Sequence, residues 1–244
     1  MRNLIRFFAK AADITTGLIL LSAEDTAHMR SLRLRPTELF VVCDGAGSDH
    51  ICRLAQRDGG TVAEIVETRP SLGEPTVSCS VFIALAKGDR LDFAVQKSVE
   101  LGAHEIVLFP SGRCVSVPLD MVKKTARYQR IALETAKQSG RGRVPGVAAV
   151  RSFEAAVKQA ARAELPMFLY EEEENTSLGQ ALGSGAVNTV SIMTGPEGGF
   201  EPLEAETAKS AGMLTVTLGP RILRCETAPI AALAAIMHQT GNLG

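Results

Sequence analysis

TGPEGGF at residues 194–200 and LGPRILRCETA at residues 218–228 carry the strongest structural signal in the sequence. Each follows a short apolar run and precedes a helical pattern, so each is predicted to be a turn between a strand and a helix. Glycine and proline at this density let the backbone approach a ligand closely and present its own N–H groups. We therefore predict a site within residues 187–240 that is built largely from backbone. These stretches are called the first and the second glycine turn below.

The alternation of strands and helices from Thr76 onward predicts the architecture around the two turns. Strands are predicted at residues 77–86, 105–109, 166–170, 187–193 and 213–218. Helices are predicted from the cap Asp89 to Gly102, from Pro118 at the first helical position to Ser139, and at residues 152–164, 202–211 and 227–240. The pattern is typical of an α/β fold with a mostly parallel sheet, in which ligands bind at the carboxyl ends of the strands.

The first part of the chain, residues 1–73, has a different pattern of short β-rich runs separated by turn signals. Strands are predicted at residues 17–21, 38–43, 50–56 and 61–67. Asp-Gly pairs at residues 44–45 and 58–59 indicate hairpins, so this part is predicted to be a small antiparallel barrel or sandwich. With residues 71–75 as a linker, the predicted domains are 1–73 and 76–244.

Composition bounds the possible functions. The chain has 244 residues, of which 45% are hydrophobic, so it can bury a full core. A formal net charge of -1 argues against a uniformly basic nucleic-acid binder. However, residues 113–151 carry nine Lys or Arg against two acids, and residues 171–206 carry eight Glu and no Lys or Arg. This asymmetry fits one face built for a polyanion, and it equally fits two solvated helix faces.

Several classes of site are not supported by the sequence. The five cysteines form no C-x-x-C pair, and the four histidines show no H-E-x-x-H spacing, so no metal site is predicted. No apolar run reaches the roughly 18 residues of a membrane span. Residues 14–21 are broken by Thr15, Thr16 and Gly17 and precede no cleavage-site pattern, which favours a strand over a signal peptide. The expected compartment is the reducing cytoplasm.

The chemistry of the two turns narrows the ligand. Both lack the G-x-x-x-x-G-K-[ST] and G-x-G-x-x-G patterns, and a carboxylate at Glu197 would repel a phosphate. Glu197 and Glu226 instead add negative potential that suits a positive centre, and backbone edges suit an adenosine-like ring. S-adenosylmethionine meets this description. A structural interpretation is also open, in which Glu197 caps the helix at Pro202 and Glu226 complements the dipole of the last helix.

The two turns resemble the signature segments of the 16S ribosomal RNA uridine-N3 methyltransferases, the RsmE family. Glu204, the segment from Lys87 to Gly102 with KGDR, QK and ELG, and the segment AKQSGR from Ala136 to Arg141 agree with the same family, as does Arg33. Two departures are present. Family members often carry an acidic residue and a tryptophan around the position of Tyr128, and a Thr or Val where this chain has Cys225.

This resemblance implies a fold and an activity. Residues 1–73 would form a PUA-like RNA-binding barrel, and residues 76–244 a SPOUT-class methyltransferase domain with a trefoil knot, active as a homodimer. The implied reaction is the S-adenosylmethionine-dependent methylation of N3 of a uridine in 16S rRNA of the small ribosomal subunit. Two alternatives remain open: a SPOUT-class enzyme acting on ribose 2′-O or another base of another RNA, and a non-catalytic RNA-binding assembly factor.

The implied reaction assigns roles at the two turns. Arg221 and Arg224 are predicted to stabilise the anion of a deprotonated uracil, and Glu197 or Glu226 to accept its proton, provided that burial raises the carboxylate pKa. An intersubunit ion pair of the arginines with Glu226 or Glu204 is the structural alternative. The predicted cofactor-binding residues are Leu169, Thr194, Gly195, Pro196, Glu197, Gly198, Gly199, Leu218, Gly219, Ile222, Leu223, Cys225, Thr227 and Ala228.

Phosphate contacts to the RNA are predicted on basic and polar side chains of both domains, because backbone neutralisation supplies much of RNA affinity. The predicted RNA-binding residues are Arg30, Arg33, Arg35, Lys97, Lys123, Lys124, Arg127, Arg130, Gln138, Arg141 and Arg143. A solvated helix end at Arg30–Arg35 and solvated helix faces elsewhere are the structural alternatives.

Overall fold

The computed structural model of the protein describes residues 4–57, 59–115, 120–183 and 185–243. Within them the chain forms two compact units. The first comprises the residues up to Glu74 together with Ala136–Val144. The second comprises Pro75–Thr135 together with the residues from Pro145 onward.

The first unit is built around a β-sheet. Its strands are β1 Arg6–Phe8, β2 Ile14–Thr15, β3 Leu18–Leu20, β4 Phe40–Cys43, β5 Ser48–Arg57 and β6 Gly60–Pro70. Over the described residues, their order in the sheet is β1-β4-β5-β6-β3-β2. The β5–β6 hairpin and the other pairs are antiparallel, but β1 pairs with β4 in parallel. The predicted strands pair antiparallel as expected. The parallel strand β1 was not predicted, because this short strand had no clear signal in the sequence. Asp58 of the predicted Asp-Gly turn lies outside the described residues.

Helix α1 (Ala23–Ser31) of this unit ends in a conformation that glycine would favour. The N–H of Leu34 donates to the carbonyl of Met29 at 3.1 Å, and the N–H of Arg33 donates to the carbonyl of Arg30 at 3.0 Å. These two bonds form a Schellman motif, in which the residue after the cap is left-handed and usually glycine. Here that residue is Arg33, with φ 54°, the single non-glycine residue with positive φ in the described part of the chain.

The second unit is an α/β domain. Its strands are β7 Ser78–Ala84, β8 Glu105–Phe109, β9 Gly146–Ala149, β10 Leu165–Leu169, β11 Thr189–Thr194 and β12 Leu214–Val216. Over the described residues their order is β12-β10-β11-β7-β8-β9, and every pair is parallel. The helices that follow β7 onward are α2 Arg90–Glu100, α3 Met121–Ser139, α4 Phe153–Ala160, α5 Leu178–Leu182, α6 Pro202–Ser210 and α7 Thr227–Gln239. The prediction of an α/β fold with a mostly parallel sheet is confirmed.

Some predicted details of this unit were wrong. Asp89 lies at the N-cap of α2 but makes no side-chain capping bond. Helix α4 ends at Ala160, short of the predicted Glu164, whose N–H instead donates to Thr189 Oγ1 as the chain enters β10. The short elements β9 and α5 were not predicted, although a reciprocal capping box between Ser177 and Gln180 marks the start of α5. Pro118 lies outside the described residues.

Phe200 fixes the first glycine turn to the core of this unit. It is fully buried, and its ring centroid lies 4.2 Å from that of Phe168 at the end of β10. Its ring is also parallel to that of Phe109, with 6.5 Å between centroids. Burying a Phe side chain contributes about 1.5–3 kcal/mol, so the end of the first turn is held firmly against residues of β8 and β10.

Candidate functional site

The loops that follow four parallel strands meet at one edge of the sheet and enclose a cavity of about 590 Å³. The strand β7 leads to Arg90, β10 leads to Tyr170 and Glu171, β11 leads to the first glycine turn, and β12 leads to the second. Such an edge is the usual ligand position in an open α/β sheet. The lining residues are Arg90, Leu169, Tyr170, Glu171, Thr194, Gly195, Pro196, Glu197, Gly198, Gly199, Val216, Thr217, Leu218, Gly219, Arg221, Ile222, Leu223, Arg224, Cys225, Glu226 and Ala228.

The cavity brings together nearly all the residues that the sequence singled out at the two turns. Arg221, Arg224 and both candidate proton acceptors line it, as do the predicted cofactor-binding residues except Thr227. Thr227 begins α7, is exposed, and donates its N–H to the carbonyl of Arg224.

Sequence reasoning missed five of the lining residues, which are Arg90, Tyr170, Glu171, Val216 and Thr217. A signal for two of them was present. Tyr170 ends a predicted strand and Glu171 follows it directly, and the rule that ligands bind at carboxyl ends applies to that strand as well.

Side chains from two other loops lock the first glycine turn. Arg113 Nη1 donates to the carbonyl of Gly198 at 3.0 Å, and the N–H of Phe200 donates to Glu171 Oε1 at 3.1 Å. Between them Gly199 has φ 68°, and a Cβ at this position would lie 1.6 Å from Glu171 Oε1. The turn therefore requires glycine at residue 199, for its backbone angle and for the space that the Glu171 carboxylate occupies.

Glu204 holds the loop after β8 to the start of α6. It accepts hydrogen bonds from Ser111 Oγ at 3.1 Å, from the Gly112 N–H at 3.0 Å and from the Glu201 N–H at 2.9 Å. Glu201 and Glu204 form the reciprocal capping box of α6. The interpretation of Glu197 as the cap of this helix was therefore wrong.

Glu197 instead forms an ion pair with Arg90, and both residues line the cavity. Its Oε1 accepts from the Lys87 N–H at 3.0 Å and from Arg90 Nη1 at 2.7 Å. Burial acts to raise the pKa of Glu197, but the hydrogen bonds from the backbone and from Arg90 outweigh it and hold this pKa below its usual value. The condition under which Glu197 was expected to accept a proton, a raised pKa, is not met.

The second oxygen of Glu197 is the more informative one. Glu197 Oε2 is buried and has no hydrogen-bond partner among the described residues. An unsatisfied buried acceptor costs about 1–3 kcal/mol, and this cost is relieved when a ligand supplies a donor or a positive charge. Glu197 is therefore a fixed negative charge at the wall of the cavity.

This ionisation gives a pH prediction. Because the pKa of Glu197 is lowered on folding, its contribution to stability is present above its unfolded value of about 4.5 and is lost as the pH falls through the folded value. We expect Glu197→Gln to be less stable than the wild type at pH 7, with the difference shrinking below about pH 4.5. Thermal unfolding between pH 3 and pH 7 measures this, with the exposed Glu174→Gln as control. A difference independent of pH would contradict it.

Glu226 and Cys225 also line the cavity. Cys225 Sγ donates to Glu226 Oε2 at 3.2 Å, and Arg90 Nε lies 4.0 Å from the same oxygen. Burial, helped by this hydrogen bond, raises the pKa of Cys225 to about 12, so the thiol stays protonated and acts as a donor rather than a nucleophile. Arg90 thus lies between two carboxylates as their shared counter-ion.

Arg221 and Arg224 have free guanidinium groups at the mouth of the cavity. Both residues are exposed, and neither side chain makes a hydrogen bond or an ion pair with any residue that the structure describes. Glu204, one proposed partner, is already satisfied by three donors of its own unit. The two arginines are therefore available to an anionic ligand.

The backbone of the second glycine turn also has unused groups. Among the described residues, the N–H groups of Leu218, Ile222 and Leu223 have no hydrogen-bond partner. A flat heterocycle presents ring nitrogens as acceptors for such donors. With the negative charge of Glu197 nearby, the donor and acceptor set fits an adenosine-like ligand that carries a positive centre.

The predicted RNA-binding residues differ in how available they are. Arg30, Arg33 and Arg35 are exposed in the first unit. On α3 the exposed Lys123, Arg127 and Arg130 share one face at helical spacing, although Arg127 pairs with Asp92. Lys124 stacks over the ring of Tyr128, Lys97 pairs with Glu100, Gln138 is exposed, and Arg143 donates to the carbonyl of Ala46.

Arg141 requires a correction. Its side chain is 4% exposed, and its Nη2 lies 2.7 Å from Glu74 Oε2 in a buried ion pair within the first unit. The N–H groups of Gly142 and Arg143 donate to the other oxygen of Glu74. This guanidinium is therefore engaged in the interior and is not available to an RNA phosphate.

In residues 4–57, 59–115, 120–183 and 185–243, no cluster of three or more His, Cys, Asp or Glu side chains is suited to hold a metal ion. No helix in the same ranges combines the length and apolar character needed to cross a membrane.

Comparison with known proteins connects this cavity to a family. A family model for the RNA methyltransferase domain matches residues 73–237. A Bacillus subtilis (strain 168) protein named Ribosomal RNA small subunit methyltransferase E is 32% identical over 232 residues, covering 90% of each chain. A protein of the same name from Synechocystis is 35% identical over 225 residues, covering 91% of this chain and 73% of that one.

A solved structure agrees with these sequences. The Ribosomal RNA small subunit methyltransferase E from Neisseria gonorrhoeae, bound to S-adenosyl methionine, is 32% identical and superposes with a TM-score of 0.83 over 96% of this chain and 97% of that one. The resemblance seen in the two glycine turns thus extends over both units of the molecule. The chain belongs to the ribosomal RNA small subunit methyltransferase E family.

Proposed function

We propose that this protein transfers the methyl group of S-adenosylmethionine to N3 of a uridine in the 16S rRNA of the small ribosomal subunit. The observation that carries the proposal is the cavity itself, in which two unpaired guanidinium groups lie beside two carboxylates at the carboxyl ends of parallel strands. The names of its relatives and the bound cofactor of the Neisseria gonorrhoeae enzyme support the reaction and the cofactor.

The residues of the cavity suit this cofactor. S-adenosylmethionine supplies an electrophilic methyl group on a positively charged sulfonium. The unpaired N–H groups of Leu218, Ile222 and Leu223 would hold the adenine edge, and Glu197 with Glu226 would provide the negative potential for the positive centre. Holding the two reactants in line contributes up to about 7–11 kcal/mol to catalysis in well-aligned systems.

The acceptor atom needs further help, because N3 of uracil carries a proton and has no free lone pair until that proton leaves. The resulting anion spreads over two carbonyl oxygens. The guanidinium groups of Arg221 and Arg224 each donate in a fork that matches such oxygens. They stabilise this anion as it develops.

We assign proton acceptance to Glu226 rather than to Glu197. Hydrogen bonds hold the pKa of Glu197 below its usual value, which disfavours proton acceptance there, and its Oε1 is already engaged by Lys87 and Arg90. Glu226 lines the same cavity, and its side chain makes no capping bond with α7.

We further propose the finer architecture that the family implies. Residues 1–73 form a PUA-like RNA-binding barrel, and residues 76–244 form a SPOUT domain whose second glycine turn and α7 thread a trefoil knot. Two such chains form the active homodimer. The parallel sheet is compatible with this proposal. The division into two compact units agrees with it except for Ala136–Val144, which group with the first unit.

Basic side chains of both units bind the RNA in this proposal. Single-stranded uridines can be splayed out of their stack, and methyltransferases commonly act on such flipped bases. The exposed face of α3 with Lys123, Arg127 and Arg130 neutralises backbone phosphates, and so does the group Arg30, Arg33 and Arg35.

A substitution at Arg33 tests the proposed contact between the first unit and the RNA. Replacing the left-handed Arg33 by glycine relieves backbone strain, so Arg33→Gly should raise the free energy of unfolding by about 0.5–1 kcal/mol. The same change removes a phosphate contact and should weaken RNA binding and reduce its salt dependence. Chemical denaturation and RNA titration at two salt concentrations measure both effects. A variant that binds RNA like the wild type would remove Arg33 from the interface.

The activity is tested by incubating the protein with labelled S-adenosylmethionine and 30S subunits from cells that lack the modification. Mapping the labelled nucleoside should identify N3-methyluridine in 16S rRNA. Label on a ribose would exclude the base-directed reaction in favour of a 2′-O-methyltransferase. No label in RNA would favour the non-catalytic assembly factor.

A further inference from the structure

Three carboxylates line the cavity, and only two of them have a role in the proposed reaction. The third is Glu171. Because β10 lies between β12 and β11 in the sheet, the residues that follow β10 emerge between the second and the first glycine turn. Glu171 is thus placed between the turn proposed to hold the adenine and the turn that carries Glu197.

Glu171 is exposed, but a hydrogen bond from the backbone anchors one of its carboxylate oxygens. Its Oε1 accepts from the Phe200 N–H at 3.1 Å, and the missing side chain of Gly199 leaves the space that this oxygen occupies. Phe200 in turn is fully buried. Glu171 Oε2 has no hydrogen-bond partner among the described residues, so one oxygen is anchored and the other is free to accept.

The neighbouring glutamates Glu172 and Glu173 are engaged in other contacts, so they do not offer a free acceptor oxygen to a ligand in the cavity. Glu172 Oε2 accepts from the Tyr170 hydroxyl at 2.8 Å. Glu173 accepts from Thr215 Oγ1 and from the N–H groups of Asn175 and Thr176. Neither of these two glutamates lines the cavity, and neither does Glu174.

We propose that Glu171 determines specificity for the ribose of the cofactor by accepting hydrogen bonds from its hydroxyl groups at Oε2. The proposal rests on the proposed function, because it presumes an adenosine-type cofactor. The ribose of such a ligand lies between its adenine and its sulfonium, which matches the position of Glu171 between the two turns. An ionised carboxylate is the strongest common acceptor for vicinal hydroxyls, and it has this task in dinucleotide sites.

Binding measurements test this without relying on turnover. Calorimetry would compare S-adenosylhomocysteine with its 2′-deoxy and 3′-deoxy analogues on the wild type, Glu171→Gln and the control Glu174→Gln. We expect the wild type and the control to bind at least one deoxy analogue about tenfold more weakly than the parent, as for the loss of one charge-assisted bond. In Glu171→Gln, whose amide oxygen can still accept from Phe200, the ratio of the deoxy-analogue Kd to the parent Kd should fall to about twofold or less.

The possible outcomes distinguish a failure of the inference about Glu171 from a failure of the proposed function. If the wild type itself binds all three ligands equally, no acceptor reads the ribose, and the inference is overturned whether or not the variant folds. If Glu171→Gln lowers every affinity by one factor and keeps the ratio, Glu171 only anchors the turn, and the inference is again overturned. A wild type that binds no S-adenosylhomocysteine would instead overturn the proposed function, and this inference with it.

Discussion

Arg224→Ala is expected to slow methyl transfer by about 100- to 1000-fold while changing cofactor affinity by less than about twofold. The guanidinium of Arg224 is exposed at the mouth of the cavity and unpaired among the described residues, so its removal leaves no buried carboxylate without a partner. Its proposed partner is the uracil anion, which exists only as the proton leaves. The loss should therefore fall on the rate of transfer rather than on ground-state binding.

Single-turnover rates with saturating cofactor, together with calorimetric cofactor binding, measure the two effects separately. The exposed Arg162→Ala is the matched control, since Arg162 lies outside the cavity. Arg224→Lys should be intermediate, because it keeps the charge and loses the fork. An unchanged rate in Arg224→Ala would remove this residue from the mechanism.

Gly199→Ala is expected to weaken cofactor binding by at least about 100-fold and to lower the free energy of unfolding by about 2–4 kcal/mol. Two causes act together. A Cβ at this position lies 1.6 Å from Glu171 Oε1, and the backbone has a φ of 68° that side chains disfavour. The first glycine turn must shift, and the Glu171 and Glu197 carboxylates shift with it.

Gly179→Ala is the matched control. This glycine is exposed in α5, has no positive φ, and a Cβ there meets nothing within 4 Å. It should leave cofactor affinity unchanged and raise stability by up to about 1 kcal/mol. Combining Gly199→Ala with Glu171→Ala removes the collision but not the backbone strain, so stability should recover only in part. Wild-type cofactor affinity in Gly199→Ala would contradict this account of the turn.

The sequence was sufficient to locate the cavity because most of its lining comes from two short segments of the chain. Each glycine turn combines turn-forming glycines with charged residues that line the cavity, as Glu197 and Arg224 illustrate. The parallel sheet was equally predictable, since the alternation of strands and helices leaves few other architectures. The confirmed strand Glu105–Phe109 shows how well short apolar runs between turn signals can be read.

Other features depend on contacts between distant residues, which one sequence does not reveal. Arg141 was read as an RNA contact from its place in a basic stretch, but its ion pair with Glu74 buries it. The sequence presents Arg90 only as part of the KGDR motif. Its position between Glu197 and Glu226 is visible only in the fold. A charged residue in a sequence shows that a charge exists, but not whether its partner is solvent, ligand or protein.

The first compact unit is discontinuous in the chain, and this has a consequence for synthesis. Glu74 leaves the ribosome well before Arg141, and at about 5–20 residues per second the delay is roughly 3–13 s. During that interval the nascent sheet lacks the guanidinium that neutralises the Glu74 carboxylate, and it lacks the backbone donors of Gly142 and Arg143. A fragment that stops at Glu74 should therefore be far less resistant to proteolysis than the same residues in the finished protein. The N-terminal unit, although translated first, completes its folding only after more than half of the chain has been made.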